Sequence, residues 1–400
     1  MKKALIVLLL LAFVAGGLFA QFSFSGRVNT GVALYKFAGV DDMGAGLIGR
    51  QLGTDTPRAE LNFSGTNEAG TAGVAFRLRA ADFGFGDPAF RYAYGWLKGL
   101  DGMLEVRAGR IQGSDFDTMD TLSDGLTEFD GYGLQFYINP VDMFSVGLGV
   151  RSGELDMITG GNYNAKGALT GANTNGWFGF GVHVDKMVDF AAQMSFGKVD
   201  EDLFWDDDDD DTTPDVFLVN MNKTFVNALV SASINAIPDV GVIVSMAMND
   251  LADFSDTGSM TFYEEFSYSA IENVSLNLAF VQSLAQWDNA DLYFRGAFWA
   301  TYAMGNIVPR LDLNFVMGGT YEMSSFYIAE NSFGKTYNKE QMFITFIPSV
   351  QLKVTNRTFV DIGFIGGVDL TDDKKAAPAF TQAAEAGFNF GAFVDVLIQF

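Results

Sequence analysis

Apolar and polar residues alternate with a period of two through most of the chain, and this alternation limits the fold more than any other feature. In residues 22–36, one side of the alternation carries large apolar groups: Phe22, Phe24, Val28, Val32 and Leu34. Segments of this kind are strands with one apolar face and one polar face. Eighteen segments follow the rule. Most are close to the ~9–11 residues that a tilted strand needs to cross a bilayer.

The connections between these segments alternate between short and long. Short connections such as GTNEAG, NPVD and TNRT alternate with long ones at 37–57, 112–130, 152–175, 198–223, 319–341 and 369–385. Outer-membrane barrels have short periplasmic turns and long external loops. The chain is therefore predicted to be all-β and to form a transmembrane antiparallel β-barrel of 18 strands. Sixteen strands is the alternative if one weak hairpin is misread.

The two ends of the chain carry further information. Residues 1–20, MKKALIVLLLLAFVAGGLFA, combine two lysines, an apolar run and small residues, as a secretory signal peptide does. The alternative is a transmembrane anchor, for which the run is short. We predict a signal peptide at 1–20 and a single barrel domain at 21–400. The last segment stays apolar at alternate positions up to Phe400, so its edge must be paired.

The exported chain is strongly acidic. Without Lys2 and Lys3, the 25 basic residues fall to 23 against 49 acidic residues, which is a formal charge of −26. This charge argues against nucleic acid as a partner. No Gly-rich phosphate loop or Cys/His cluster occurs, and no serine stands out as a nucleophile for the only histidine, His183. Neither enzymatic activity nor a bound cofactor is expected.

A run of six aspartates, Asp206–Asp211, stands out within WDDDDDDTTPD. Like charges in sequence repel one another and favour a solvated loop. A divalent-cation site is the alternative, because hard cations prefer carboxylate oxygens. The run lacks the spaced ligands and the turn glycine of a defined calcium loop, so no metal site is predicted.

The first third of the chain resembles the Gram-negative general porin family. The resemblance is carried by FSFSGRVNTGVALY, PRAELNFSGTNEAGTAGVAFRLRA, AFRYAYGWLKGLDGMLEVRAGRIQG and FDGYGLQFYINP, which together span roughly residues 21–140. The apolar ladder that ends at Val396, Ile398 and Phe400 is similar to the signal that the outer-membrane assembly machinery reads. The resemblance implies an outer-membrane location, contact with membrane lipid and a homotrimer. Eighteen strands, in place of the sixteen of general porins, is similar to the substrate-selective porins.

A barrel of 16–18 strands leaves an aqueous channel, and the charges at its narrowest point set selectivity. In porins the loop after the fifth strand folds inward and narrows the pore. Here that loop, QGSDFDTMDTLSDGLTEFD, carries several acidic residues, among them Asp115, Asp117, Asp120 and Asp124. The resemblance implies that an arginine wall faces it, formed by Arg27, Arg77, Arg79, Arg107 and Arg110. By strict alternation Arg110 falls on the wrong face, and a bulge at Gly109 would turn it inward. The alternative is that these arginines merely pair with nearby carboxylates in a hydrated lumen.

Aromatic residues near strand ends, such as Tyr92, Tyr94 and Trp96 in RYAYGW, fit an interfacial girdle. The sequence thus predicts a porin for passive diffusion of small hydrophilic solutes and ions, with weak cation selectivity because acids dominate. The alternative function is a surface barrel, such as an adhesin, that binds a partner through its long loops.

Overall fold

A computed structural model of the chain describes the strands and most of the short turns. The described residues are 21–36, 43–49, 51, 57–81, 89–113, 116, 129–152, 174–185, 187–199, 223–249, 251–253, 259–285, 291–317, 342–369 and 387–400. The predicted signal peptide at 1–20 and the run Asp206–Asp211 lie outside them. Both interpretations therefore stay predictions.

Nineteen strands are formed within these residues. They are β1 Gln21–Lys36, β2 Gly44–Ile48, β3 Arg58–Thr66, β4 Ala72–Ala81, β5 Ala89–Gly99, β6 Leu104–Gly113, β7 Phe129–Val141, β8 Phe144–Ser152, β9 Thr174–Val184, β10 Val188–Val199, β11 Lys223–Ile237, β12 Val240–Asn249, β13 Ser259–Tyr268, β14 Val274–Ala285, β15 Asp291–Tyr302, β16 Ile307–Met317, β17 Met342–Thr355, β18 Thr358–Asp369 and β19 Gly387–Gln399. Two single-turn 3₁₀ helices, Leu100–Gly102 and Leu251–Asp253, accompany them. No helix in the described ranges is long and apolar enough to cross a lipid bilayer.

The strands close into one antiparallel barrel. Each long strand pairs with its neighbours in sequence, and β1 pairs with β19 from Arg27↔Gln399 to Lys36↔Phe390. The five-residue β2 pairs with β1 alone and lies on the same edge of β1 as β3. The nineteen described strands therefore occupy eighteen strand positions around the barrel, which we call staves. One of these staves is shared by β2 and β3. The predicted antiparallel barrel of 18 strands is confirmed, and the alternative of sixteen is wrong.

The connections are sorted between the two ends of the barrel. One end carries the short turns and both ends of the barrel domain; the turns are 67–71, 100–103, 142–143, 185–187, 238–239, 269–273, 303–306 and 356–357. In the two-residue turn between β11 and β12, Asp239 has φ +62, a left-handed conformation that tight hairpins require. All the long connections leave from the opposite end. This is the alternation that the sequence predicted.

The barrel wall has an apolar outer face. Large side chains on this face are highly exposed, for example Val32 at 49%, Val394 at 46% and Ile398 at 45%. The residues that alternate with them face inward, and many of these are polar, including Asn29, Glu60, Gln135, Gln193 and Asp395. A water-soluble protein rarely exposes so large an apolar surface. A lipid-facing belt around a transmembrane barrel has this character.

The last residue closes the barrel against the first strand. Phe400 and Gly26 exchange two backbone hydrogen bonds, with N···O distances of 2.8 and 2.9 Å. The Phe400 ring lies on the outer face over Gly26, where a Cβ would come within 2.5 Å of its Cζ atom. The ring also lies 5.8 Å from that of Phe24. The terminal phenylalanine thus fills a site that only a glycine leaves open.

Candidate pore lining

A buried glutamate organises the arginines at the start of the barrel. Glu60 on β3 is 0% exposed and faces inward. It accepts hydrogen bonds from Arg27 Nε at 2.5 Å and from Arg79 Nε at 2.8 Å. Arg58 Nη1 approaches its carboxylate to 3.9 Å. These contacts fix three guanidinium groups from three strands against the inner wall. Sequence reasoning missed Glu60, although it shares a strand face with Arg58 and sits across the ladder from Arg27.

Aromatic rings on the inner wall contact the guanidinium groups of two further arginines, Arg77 and Arg107. Arg77 donates to Asn62 Oδ1 at 2.7 Å and lies 5.1 Å from the Tyr92 ring centre. Arg107 lies between two rings, 4.2 Å from Tyr137 and 5.7 Å from Tyr94. Cations over ring faces are attracted by the ring quadrupole. The rings therefore keep these guanidinium groups close to the wall.

A carboxylate completes this arrangement near the short-turn end. Glu105 accepts a hydrogen bond from Arg107 Nε at 2.6 Å and lies 3.5 Å from Lys98 Nζ. Lys98 in turn lies 5.3 Å from the Trp96 ring centre. Both strands β5 and β6 contribute to this group, because Lys98 pairs across the ladder with Glu105.

The aromatic residues of RYAYGW face the lumen. Across the ladder, Tyr92 pairs with the inward Arg77, and Trp96 pairs with the inward Arg107. Their predicted place in an interfacial girdle is therefore wrong. The prediction fails because the ladder shifts between Arg77↔Tyr92 and Leu78↔Phe90. Arg91 is the extra residue at this shift, and it changes the face of the residues that follow.

Arg110 stays on the outer side of the wall, so its predicted pore-lining position is wrong. Its ladder partner on β7 is Tyr132, which alternates with the exposed Leu134 and Phe136. The Arg110 guanidinium lies 5.6 Å from the Tyr132 ring centre. Gly109 has φ +135, but β6 pairs without a shift on both sides. The extra residue sits in β5 instead, so nothing rotates Arg110 inward.

The connection after β6 enters the barrel at Phe116. This ring is 2% exposed and lies 5.5 Å from the Trp177 ring and 6.0 Å from the Tyr137 ring, both on the inner wall. Gly147 and Gly179 form the floor beneath it, and a Cβ on Gly147 would come within 2.6 Å of the Phe116 ring. The ring is therefore held by aromatic side chains of β7 and β9 and lies over glycines of β8 and β9. Asp115, Asp117, Asp120 and Asp124 lie outside the described residues.

Positive charge predominates on this part of the described wall. Five arginines face inward between β1 and β6: Arg27, Arg58, Arg77, Arg79 and Arg107. The carboxylates paired with them are Glu60 and Glu105. Within the described part of the wall these arginines therefore lie beside local carboxylates, and their place opposite an acidic constriction loop stays a prediction. On β11–β15 the inner wall instead carries a buried apolar cluster, which includes Leu229, Tyr263 and Val281.

His183 lies at the short-turn end of the wall. Its Nδ1 atom contacts Asp189 Oδ1, and its side chain is 59% exposed. The pair borders a cavity of about 310 Å³ that Asp142 and Ser233 also line. Within the described ranges, no group of three or more His, Cys, Asp or Glu residues has the arrangement of a metal site.

Known proteins resemble the chain in shape alone. No protein-family model matches it, and no curated protein matches it. Solved structures similar to it include two variants of the Rhodopseudomonas blastica porin, with 13% and 12% identity and TM-scores of 0.45 and 0.47. Each similarity covers 95% of this chain and 100% of the other. The anion-selective porin of Comamonas acidovorans is also similar, with 12% identity, a TM-score of 0.45 and coverage of 95% and 99%.

Proposed function

We propose that the chain is an outer-membrane porin, a water-filled channel through which small hydrophilic solutes and ions diffuse passively. One observation carries the proposal: a closed wall of eighteen staves is apolar outside and holds a group of ordered arginines inside. A barrel of this strand number is too wide for its own side chains to fill. Fixed charges on the inner wall are the means by which such pores select ions.

The location and partners belong to the same proposal. The apolar outer face fits contact with outer-membrane lipid. The terminal ladder that includes Val396, Ile398 and Phe400 is proposed as the signal for the assembly machinery, and a homotrimer as the assembled form. No feature of the described residues favours the adhesin alternative. Planar-bilayer recording of the purified protein tests the channel directly, because stepwise current is expected from a porin and none from an adhesin.

Topology gives a test in whole cells. From the alternation of short and long connections we expect residues 198–223 to lie outside the cell and residues 236–240 to face the periplasm. A peptide tag inserted at Asp208 is expected to bind antibody on intact cells. The same tag at Asp239 is expected to bind only after the outer membrane is permeabilised. Access to both tags on intact cells, or the reverse pattern, contradicts the proposed orientation.

Ion selectivity tests the charged lining. We expect weak cation selectivity, because the exported chain carries −26 and the segment expected at the constriction is acidic. The preference should grow in dilute salt, as the screening length rises from ~10 Å at 0.1 M to ~30 Å at 0.01 M. The reversal potential across a salt gradient measures the preference.

Two sets of substitutions separate the contributions to this potential. Converting Asp115, Asp117, Asp120 and Asp124 together to Asn should shift the reversal potential toward anions. Converting Arg77, Arg79 and Arg107 together to Gln should shift it toward cations. A wild-type pore that prefers chloride contradicts the expected sign. Open pores that respond to neither set would show that these residues do not line the narrow region.

A further inference from the structure

One part of the inner wall carries a row of polar side chains that crosses three strands near the short turns. His183 on β9 pairs with Asp189 on β10, and Asp189 pairs in turn with Ser233 on β11. His183 alternates in step with the inward Trp177, so the row faces the lumen. Residues that pair directly on one face of a sheet have Cβ atoms about 4.5–5.5 Å apart. The three polar side chains are therefore neighbours.

Small residues in the next row leave space beside these polar groups. Gly181 on β9 pairs with Ala191 on one side and with Ser145 of β8 on the other. A Cβ at Gly181 would lie 2.6 Å from Ser145 Oγ and 3.4 Å from the Phe116 ring. The result is a pocket of about 310 Å³, which we call the His183 pocket. Its polar lining residues are Asp142, Ser145, His183, Asp189 and Ser233.

Contacts at the His183 pocket hold its polar groups in place and leave them accessible. His183 Nδ1 contacts Asp189 Oδ1, and the two side chains are 59% and 42% exposed. The His183 backbone N–H donates to the Met143 carbonyl at 2.9 Å, which ties the turn that carries Asp142 to β9. A solute in the channel can therefore reach groups whose positions are already fixed.

The charge of the His183 pocket is negative. Asp142 and Asp189 are carboxylates, and none of the described residues that line the pocket is a lysine or an arginine. His183 adds at most one positive charge, so the pocket stays negative in either state of the imidazole. A cleft lined by one sign of charge concentrates ions of the opposite sign. The pocket thus attracts cations, unlike the arginines on β1 to β6.

The acceptors in the pocket favour an organic ammonium group over a metal ion. An ammonium group carries three donors, which carboxylates and serine hydroxyls can accept. A metal ion needs several ligands grouped around one point, and the described part of the chain holds no group of three or more His, Cys, Asp or Glu residues in that arrangement. The volume of the pocket is at the small end of the ~300–1,000 Å³ range of ligand pockets. It therefore fits a small amine.

We propose that the His183 pocket binds the ammonium group of small amine-bearing solutes at the short-turn end of the channel. This inference rests on the proposed channel function and deepens it, because it assigns a class of solute to one part of the wall. Asp142 and Asp189 supply the negative charge, and Ser145 and Ser233 accept hydrogen bonds from the ammonium group. His183 is a positioning residue that holds the Asp189 carboxylate.

Binding of putrescine, a four-carbon diamine, tests the proposal without any current. Isothermal titration calorimetry of the purified full chain in detergent should show saturable binding of putrescine and none of butanediol, which has the same carbon chain and no charge. Asp189→Asn and Asp142→Asn should each weaken binding roughly tenfold, as expected for loss of a charge-assisted hydrogen bond. A wild-type protein that binds no putrescine, or binds butanediol equally well, overturns the proposal.

Asp239→Asn is the matched control. Asp239 is a carboxylate at the same end of the barrel, but it does not line the pocket. Its φ of +62 suits asparagine as well as aspartate, so the turn should keep its shape. Putrescine affinity should stay within about twofold of the wild type, because salt screens exposed charges at a distance. A loss as large as that of Asp189→Asn would show that general negative charge attracts the amine, and would overturn the proposal.

Competition with magnesium chloride separates an amine site from a metal site. An equal concentration of Mg²⁺ should leave putrescine binding nearly unchanged, because the pocket lacks the grouped ligands of a metal site. Displacement of putrescine by Mg²⁺ at that concentration would contradict the assignment to amines.

Planar-bilayer recording separates the pocket from the channel. Putrescine added at the short-turn end should briefly interrupt the wild-type current, and Asp189→Asn pores should be interrupted less often. Putrescine binding by a barrel that passes no current would refute the channel and leave the pocket standing. An open channel whose protein binds no putrescine would refute the pocket and leave the channel standing.

Discussion

Gly26→Val is expected to prevent most of the protein from closing into a barrel. A Cβ at this position would lie 2.5 Å from the Phe400 ring and 2.9 Å from the Glu60 carbonyl oxygen. Valine adds two further methyl groups, and overpacking of this kind costs about 1–3 kcal/mol. The cost falls on the seam between β1 and β19, which joins the first strand to the last. The measurement is the amount of heat-modifiable barrel in the outer membrane.

Deletion of Phe400 tests the same seam from its other side. It removes the ring over Gly26 and both of its backbone hydrogen bonds. A comparable loss of assembled barrel is expected, with normal synthesis of the precursor. The matched control is Gly296→Val on the outer face of β15, where the atoms nearest to a Cβ are 3.7 Å away. If Gly296→Val lowers assembly as much as Gly26→Val does, the Phe400 site is not the cause.

Glu60→Gln is expected to lower the free energy of unfolding by about 3 kcal/mol, in line with the loss of one partner from a buried ion pair. The amide keeps the volume of Glu60 but leaves Arg27, Arg58 and Arg79 facing one another without a negative charge. Urea unfolding in phospholipid vesicles, followed by tryptophan fluorescence, measures the change. The pore should also shift toward anions.

Glu105→Gln is the matched control for burial. It removes the same charge from the same wall, but the Glu105 side chain is 15% exposed, against 0% for Glu60. A loss of about 1 kcal/mol or less is expected there, as for other partly exposed pairs. Both variants should change selectivity in the same direction. Equal losses of stability would show that Glu60 does not organise the arginines.

The barrel itself could be predicted because its signal is local. In each strand, the period-two alternation shows which residues lie on which face. The length of each turn can be counted in the sequence. Neither feature requires knowledge of which strand lies next to which. The predicted first strand, 22–36, begins one residue after β1 does. The predicted last strand, 386–400, begins one residue before β19 and ends one residue after it.

The lining was predicted less completely, because a single extra residue changes the face of every residue after it. The register shift in β5 turned Tyr92, Tyr94 and Trp96 inward, and the absence of one in β6 left Arg110 outside. Alternation alone cannot place such a bulge. Its position depends on which residues of the neighbouring strand fit beside it.

The sequence by itself determined the class of fold, the number of staves, the end at which the long connections lie and the need to pair the terminal strand. These features follow from strand geometry, which can be predicted from the residues of each short segment alone. The tertiary structure alone decided that β2 and β3 share one stave, that Glu60 gathers three arginines and that Asn29 donates a hydrogen bond to Asp395. Such contacts join residues far apart in the chain, as Asn29 and Asp395 are, which lie 366 positions apart. Only closure of the barrel brings these residues within hydrogen-bonding distance.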